Sequence, residues 1–300
     1  MLQPFNQKNR DLIVNVNGRL THREEARVSP FDSAVQGGDA VWEGLRLYDG
    51  RIFKLREHLA RLRQSASALA FDNVPSDDTI IEQIRRTLAA NQMRDGVHIR
   101  LTLTRGEKIT SGMDPRLNQS GPTLIVLAEF KVPVYAKTGL RLITSSWRRP
   151  PPEILDPQIH HANLLNSILA KIEANRAGAD DALMLDTRGF VAETNATHVF
   201  VVRDGKVETG RVLACPEGIT RATVLEICAA EKLPHAERDL TLEEIYRADE
   251  MFCTGTMGEI AGVVQVDERQ IGSAIIGPLT QRLSDLYARR TATEGVSLIA

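Results

Sequence analysis

Several residue types and patterns are scarce in this 300-residue sequence, and each scarcity excludes a class of protein. The three cysteines, Cys215, Cys228 and Cys253, include no Cys-x-x-Cys pair, so neither a disulfide framework nor a zinc site is indicated. No apolar run approaches the roughly 18 residues that a membrane span needs. With 37 basic and 39 acidic side chains, the formal net charge is -2. The chain therefore lacks the excess of basic residues that is typical of a nucleic-acid-binding protein.

Familiar catalytic motifs are missing as well. The sequence has no G-x-G-x-x-G after an expected strand, no G-x-x-x-x-G-K-[ST], no H-E-x-x-H and no G-x-S-x-G. The sequence therefore has no motif for a nucleotide-phosphate site, a catalytic zinc site or a serine nucleophile. The amino terminus lacks the apolar core of a signal peptide, and together with the few cysteines this predicts a reducing, cytoplasmic location.

Hydrophobic periodicity and turn residues predict a mixed α+β protein. Asn17-Gly18 and Asp49-Gly50 are typical hairpin turns, residues 55–69 repeat at helical spacing, and residues 97–104 alternate like a strand. Further on, helices are predicted over residues 163–177 and just after Gly218. The length suggests about two domains, which we place at residues 1–130 and 139–300 with a linker at 131–138.

Four short features carry charge or hydrogen-bonding groups, and each alone has an ordinary structural interpretation. Gly218-Ile219-Thr220-Arg221 opens a helix whose first amides favour a phosphate, but a simple glycine turn would look the same. Thr254-Gly255-Thr256 is either a turn or a second group of anion ligands. Glu193 is either a solvated strand end or a buried carboxylate with a cationic partner. Arg61, on the first long helix, is either a solvated charge or an anion ligand.

Taken in order, these features resemble the class IV aminotransferases, which use pyridoxal phosphate (PLP) on the D-amino acid and branched-chain aminotransferase fold. The resemblance covers nearly the whole chain, with five motifs in the right order and no large gap. They are residues 38–46 (GDAVWEGLR), 163–170 (NLLNSILA), 193–195 (ETN), 217–221 (EGITR) and 248–256 (ADEMFCTGT). The resemblance implies fold type IV, with a small α/β domain, a larger domain with a β-barrel-like core, the cofactor between them, and a homodimer.

The same resemblance implies which residues bind the cofactor. Arg61, the amides of Ile219 and Thr220, and the hydroxyl of Thr256 would hold the PLP phosphate. Glu193 would hydrogen-bond the ring nitrogen and keep it protonated, so that the ring can take up electrons when the substrate loses its α-proton. Asn195, in the same motif, would be a further cofactor-binding residue, and no metal is implied.

Two more residues match substrate-pocket positions of the family. They are Trp42 and Arg100, and Arg100 lies on the polar face of its predicted strand. An arginine there could bind a substrate carboxylate with two parallel hydrogen bonds. A surface ion pair is an equally good interpretation of Arg100.

One departure from the family concerns the catalytic lysine, which is expected three residues before the asparagine that opens the helix. That asparagine is Asn163, so the expected position holds His160, and no lysine lies between Lys137 and Lys171. Imidazole cannot form the covalent bond that an amine forms with the cofactor aldehyde. A histidine could still move a proton, which is the lysine's other task. His160 is therefore either a proton-transfer residue or a loop histidine in a pocket that has lost catalysis.

Smaller departures leave the substrate open. Gly37 stands where branched-chain enzymes have a pocket tyrosine, Leu164 replaces a tyrosine frequent after the asparagine, and His198 replaces a frequent asparagine. The resemblance implies transfer of an amino group between an amino acid, such as a branched-chain one, and a 2-oxo acid. Because no lysine occupies the expected position, we predict that PLP is bound without a covalent lysine bond. Two alternatives remain: a PLP lyase related to the aminodeoxychorismate lyases, and a non-catalytic protein that binds PLP or its amine form.

Overall fold

The computed structural model describes residues 3–133, 135 and 138–299. Their contacts divide them into two compact units, each built around its own sheet. The first unit comprises residues 3–132, 159–163 and 291–299, and the second comprises 133, 135, 138–158 and 164–290. Part of the predicted linker, including Lys137, lies outside the described residues.

The strands of the described residues are, in chain order, β1 Ile13–Val16, β2 Arg19–His22, β3 Ala40–Tyr48, β4 Arg51–Ile52, β5 Val97–Thr104, β6 Thr123–Phe130, β7 Leu140–Arg148, β8 Asp181–Leu185, β9 Val191–Thr194, β10 His198–Arg203, β11 Lys206–Thr209, β12 His235–Glu237, β13 Glu250–Gly255, β14 Glu259–Val266, β15 Arg269–Gln270 and β16 Val296–Ser297. The α-helices are α1 Ser33–Gly37, α2 Leu55–Ala68, α3 Asp77–Ala90, α4 Pro152–Leu155, α5 Leu165–Arg176, α6 Ile219–Ala230, α7 Leu242–Tyr246 and α8 Pro278–Thr293. The α+β class predicted from the sequence is confirmed.

The first unit is an antiparallel sheet in the order β16-β4-β3-β5-β6-β1-β2. Both predicted hairpin turns are confirmed, because Asn17-Gly18 and Asp49-Gly50 take positive φ between paired strands. The apolar faces of α2 and α3 pack on the sheet and form the core of this unit. Ser76 caps the start of α3, since its hydroxyl accepts from the Thr79 amide at 3.2 Å.

The second unit is a mixed sheet in the order β12-β11-β10-β13-β14-β7-β8-β9, with β15 paired to β14. β9 ends this path, yet it packs against β10, the third strand from the other end. The sheet must therefore curl, which confirms the predicted barrel-like core. Helix α5 begins at Leu165 rather than at the predicted residue 163, because Leu164 is not yet helical and supplies no side-chain cap.

No helix among these residues has the length and apolar character that crossing a membrane requires.

Candidate active site

A buried glutamate, Glu43, lies at the centre of a charged cluster in the first unit. Its side chain on β3 is fully buried. Arg61 on α2 donates from Nε to Glu43 Oε1 at 2.8 Å and from Nη2 to Oε2 at 2.7 Å. Two parallel bonds of this kind form the strong version of an ion pair. They compensate a charge that would otherwise be very costly inside the core.

Two histidines complete what we call the Glu43 cluster, which consists of Glu43, His58, Arg61 and His160. His58 Nδ1 lies 2.6 Å from Glu43 Oε2, and His160 Nδ1 lies 3.3 Å from Oε1. His58 and Arg61 are three residues apart on α2 and so share one face of that helix. The carboxylate therefore has four polar contacts from three side chains.

The protonation of this cluster follows from burial and charge. Burial alone would raise the pKa of Glu43, but the charges of Arg61 and His160 and their hydrogen bonds hold it well below its usual value. Burial and the charge of Arg61 lower the pKa of His160, although Glu43 opposes this. Near neutral pH, Glu43 is a carboxylate and His160 a neutral imidazole. Since a carboxylate only accepts hydrogen bonds, the His160 proton lies on Nδ1, and Nε2 carries the lone pair.

The backbone around His160 is held to the first unit. The Trp42 amide donates to the His160 carbonyl at 3.1 Å, and the His160 amide donates to Ser65 Oγ at 3.0 Å. The imidazole stacks on the Trp42 ring with the centroids 4.3 Å apart. Besides its contact with Glu43, the imidazole interacts with the Trp42 backbone, which acts to raise its pKa, and 15% of the side chain is exposed. His160 is thus an oriented imidazole with part of its side chain open to solvent.

Arg100 lies beside the same tryptophan. Its guanidinium carbon is 3.4 Å from the centre of the Trp42 ring, and the side chain makes no hydrogen bond or ion pair with any described residue. Burial lowers the pKa of Arg100 to about 10, against the effect of the Glu43 charge, so it stays a cation at neutral pH. Arg46 and His98 share its face of the sheet, directly opposite each other on β3 and β5.

The start of α6 in the second unit has unpaired backbone donors. The cap residue Gly218 supplies no side-chain hydrogen bond, and the amides of Ile219 and Thr220 have no acceptor among the described residues. Thr220 is only 3% exposed. A buried helix start without acceptors is normally satisfied by a ligand, and an anion suits the dipole.

His198 explains why residue 218 is a glycine. A Cβ on Gly218 would lie 2.5 Å from two ring atoms of His198, which is far inside contact distance. The same ring donates from Nε2 to the Pro216 carbonyl at 2.7 Å. Across the β10–β13 pair, His198 is opposite Thr254, whose buried hydroxyl makes no hydrogen bond within the described part of the chain.

Glu193 is a buried carboxylate with a cationic partner from its own chain. It lies on β9 with 5% of its surface exposed, and Arg149 Nη2 is 2.8 Å from its Oε1. Arg149 is itself fixed by hydrogen bonds to Ser167 Oγ at 3.1 Å and to the Ala214 carbonyl at 3.0 Å. The interpretation as a solvated strand end is therefore wrong, and the buried alternative is confirmed.

Asn195 and Thr256 lie near the strands of the second unit. Asn195 accepts from the Ala182 amide at 2.8 Å and donates to Asp181 Oδ1 at 3.3 Å, so its side chain holds the turn after β9. Thr256 follows β13 and is partly buried. Their roles toward a cofactor stay predictions.

The predicted site residues fall into two groups. Those of the first unit are Trp42, Arg61, Arg100 and His160, and those of the second are Glu193, Asn195, Ile219, Thr220 and Thr256. The sequence reasoning missed Glu43, His58 and Arg149 as functional candidates. His58 had a signal, because it precedes Arg61 by one helical turn, and Glu43 had one, because it is an acid at an inward-facing strand position. Arg149 had none.

Within the described residues, no group of three or more histidine, cysteine, aspartate or glutamate side chains is arranged to hold a metal ion.

Two sequence relatives and one solved structure are similar to this chain. The branched-chain-amino-acid aminotransferase-like protein 2 of Arabidopsis thaliana is 53% identical over 97% of this chain and 52% of the relative. A putative branched-chain-amino-acid aminotransferase of Methanocaldococcus jannaschii is 39% identical over 91% of this chain and 94% of the relative. The chain spans about half the length of the Arabidopsis relative. The crystal structure of the branched-chain amino acid aminotransferase from Thermobaculum terrenum, in its PLP form, superposes with a TM-score of 0.85 at 29% identity and covers 95% of each chain.

The family model for class IV amino-transferases matches residues 40–266. That range begins at the strand of Glu43 and Trp42 and ends with β14, so it contains the Glu43 cluster, Glu193 and the start of α6. By sequence and by fold, the chain belongs to the class IV amino-transferase family.

Proposed function

We propose that this protein binds PLP without a covalent lysine bond and transfers an amino group between an amino acid and a 2-oxo acid, with His160 as the proton-transfer residue. The observation that carries this proposal is the geometry of His160. Glu43 lies against its Nδ1, the ring stacks on Trp42, and 15% of the side chain is exposed. A histidine held in this way has the features of a general base.

The second unit offers groups that fit PLP. The amides of Ile219, which is partly buried, and of Thr220, which is buried, suit its phosphate. The carboxylate of Glu193 suits a protonated ring nitrogen. When bound, PLP would supply an aldehyde to accept the amino group and a ring that withdraws electrons. Arg61 was predicted as a phosphate ligand, but two of its donors are on Glu43, so we expect the α6 amides to contribute more of the phosphate affinity.

Among the described lysines, the one closest to residue 160 in sequence is Lys171, and its ammonium is held in an ion pair. Lys171 on α5 lies 2.8 Å from Asp181 Oδ1 and also donates to the Asp180 carbonyl. Its ammonium is therefore held in an ion pair rather than available as a nucleophile. This supports non-covalent binding of the cofactor.

Arg100 is the proposed ligand of the substrate carboxylate. It is a cation without a hydrogen bond or ion pair among the described residues, held over the Trp42 ring. A guanidinium binds a carboxylate with two parallel hydrogen bonds. Both an amino acid and a 2-oxo acid carry that group.

A single-turnover experiment tests the proposal. Protein loaded with PLP is mixed with L- and D-amino acids, and formation of pyridoxamine phosphate and the 2-oxo acid is followed by chromatography. We expect conversion by the wild type and a loss of about 100-fold or more in His160→Gln, the scale of general-base catalysis. His161→Gln is the matched control and should convert normally.

The absence of a lysine between Lys137 and Lys171 favours one alternative, a protein that binds PLP or its amine form without turnover. In that case PLP would bind with similar affinity to the wild type and to His160→Gln, and no amino acid would be converted. That result would contradict the proposed transfer reaction.

A further inference from the structure

A cavity of about 320 Å³ opens on the surface of the first unit, where α2 ends and the chain turns toward α3. The described residues that line it are Arg63, Ser67, Ala70, Phe71, Asp72 and Val74. Small-molecule sites have volumes of roughly 300–1,000 Å³, so this cavity has room for a small ligand.

The cavity is separate from the Glu43 cluster. Arg63 follows Arg61 by two positions on α2, and Ser67 follows Ser65 by two. Residues two apart on a helix point to nearly opposite sides. Because Arg61 and Ser65 contact the Glu43 cluster, a ligand in the cavity lies on the other face of α2 from the candidate catalytic groups.

Arg105 fixes one wall of the cavity. Its guanidinium donates to the Leu69 carbonyl at 2.7 Å and to the Ala70 carbonyl at 3.0 Å, at the end of α2. The same group lies over the Phe71 ring, 4.5 Å from its centre. The apolar part of the wall is thus held in place without a ligand, as is usual for small-molecule sites.

Three polar side chains of the cavity have unused hydrogen-bonding groups within the described part of the chain. Arg63 donates from Nε to Asp77 Oδ1 and from Nη2 to the Pro75 carbonyl, both at 2.5 Å, and its Nη1 has no acceptor there. The Asp72 carboxylate and the Ser67 hydroxyl make no hydrogen bond or ion pair there. The cavity therefore offers an unpaired carboxylate together with free N–H and O–H donors.

We propose that the cavity is a second ligand site, which binds an apolar amino acid as a zwitterion. Asp72 pairs with the ammonium group of the ligand. Arg63 Nη1 and the Ser67 hydroxyl donate to its carboxylate, and its side chain packs on Phe71 and Val74. An α-amino acid carries both charges on one carbon atom, so it suits opposite charges that line one small cavity. The inference requires neither PLP nor the reaction proposed above.

The two charged ends of the ligand contribute unequally. Arg63 already has a counter-charge in Asp77, whereas Asp72 has none among the described residues. The ammonium group is therefore the end that the cavity requires. A carboxylic acid without it would meet the unpaired negative charge of Asp72, which opposes binding.

Titration calorimetry with three small probes tests this site. The protein is loaded with pyridoxamine phosphate, which has no aldehyde to react with an amine. Cycloleucine is an apolar zwitterion, cyclopentanecarboxylate has the same ring without the ammonium group, and cyclopentylamine has it without the carboxylate. We expect cycloleucine to bind, cyclopentylamine to bind about 10-fold more weakly, and cyclopentanecarboxylate to bind at least about 100-fold more weakly.

Three variants locate the binding. Asp72→Asn should weaken cycloleucine binding by about 10-fold or more, because the ammonium group loses its counter-charge. Asp78→Asn is the matched control, since Asp78 is an exposed aspartate in the first turn of α3 and does not line the cavity. Asp78→Asn and Arg100→Gln should both bind cycloleucine like the wild type.

Chemical labelling gives an independent measure of position. Ser67 is exposed and the three native cysteines are buried, so N-ethylmaleimide should react first at residue 67 of a Ser67→Cys variant. Cycloleucine should slow this reaction in proportion to its occupancy, and cyclopentanecarboxylate should not.

Three results would each overturn the inference: no binding of cycloleucine, wild-type binding by a folded Asp72→Asn, or no protection of residue 67. Loss of binding in Arg100→Gln alone would place the probe in the proposed substrate site, which would overturn the second site and leave the proposed function intact. Failure of the protein to convert amino acids would refute only the proposed function.

Discussion

At the scale of single residues, Glu43 has the most demanding position, because a full negative charge lies in the core of the first unit. Three side chains compensate it: Arg61, His58 and His160. Removing one partner of such an arrangement leaves the others buried without compensation, which typically costs about 3–5 kcal/mol. The cluster is therefore a structural feature as well as a candidate catalytic one.

Glu43→Gln should lower the free energy of unfolding by about 3–5 kcal/mol at pH 7, because Arg61 loses its counter-charge. The difference in the free energy of unfolding between Glu43→Gln and the wild type should become smaller at acidic pH. The folded pKa of Glu43 lies well below 4.5, so its stabilising contribution is complete above pH 4.5 and is lost as the pH falls toward the folded value. Urea denaturation at a series of pH values measures this.

Glu57→Gln is the matched control, since Glu57 lies on α2, the helix of Arg61, with 49% of its side chain exposed and, among the described residues, pairs with Lys54. It should change the free energy of unfolding by no more than about 0.5 kcal/mol. A difference between Glu43→Gln and the wild type that stays constant down to pH 2 would argue against an ionised Glu43 in the folded protein.

At the scale of elements, the start of α6 depends on two residues distant in sequence. Gly218 has a negative φ of -79°, so an alanine would not strain the backbone. The methyl group of that alanine would instead collide with the His198 ring. The close approach of His198, and not chain flexibility, therefore requires the glycine.

Gly218→Ala should lower the free energy of unfolding by about 1–3 kcal/mol through overpacking and should weaken PLP binding by displacing the α6 amides. In a His198→Ala background the added methyl group should cost much less, which a double-mutant cycle would show as a positive coupling. Gly37→Ala is the control, because no atom lies near the added Cβ. Equal costs in both backgrounds would contradict the steric explanation. Calorimetry and equilibrium dialysis provide the two readouts.

Local patterns predicted most of these elements. The alternation over residues 97–104 placed Arg100 on the face opposite the core, as the burial pattern of β5 shows, and Gly218 marked the start of α6. The contacts that define the candidate site could not be predicted in this way. Glu43 and His160 are 117 positions apart, and Arg149 meets Glu193 only because β7 and β9 flank β8. Such pairings depend on the strand order, which residue periodicity does not contain.

At the scale of the whole molecule, the chain leaves the first unit at residue 132, returns for residues 159–163 and returns again after residue 290. The first return carries His160, and the second adds β16 to the edge strand β4. Lys137 lies outside the described residues, and Lys171 belongs to the second unit in an ion pair with Asp181.

Reduction of the PLP-loaded protein with borohydride, followed by digestion and mass spectrometry, should yield no stoichiometric pyridoxyl-lysine peptide. The reason is that no lysine occupies the position that the family uses, and Lys171 is held by Asp181. His160→Lys, tested in parallel, should produce such a peptide at residue 160. A stoichiometric adduct on Lys171, Lys137 or any other lysine of the wild type would refute non-covalent binding.

The two returns of the chain have a consequence for its synthesis. When the first 132 residues leave the ribosome, Glu43 still lacks His160, and β4 still lacks its neighbour β16. Contacts of such long sequence separation form slowly, because the loop between them must close first. We therefore expect the first unit to complete its folding only after residues 291–299 have been synthesised, because they supply its last strand. A nascent chain stalled before residue 159 would expose an incomplete sheet edge, which is the kind of surface that chaperones bind.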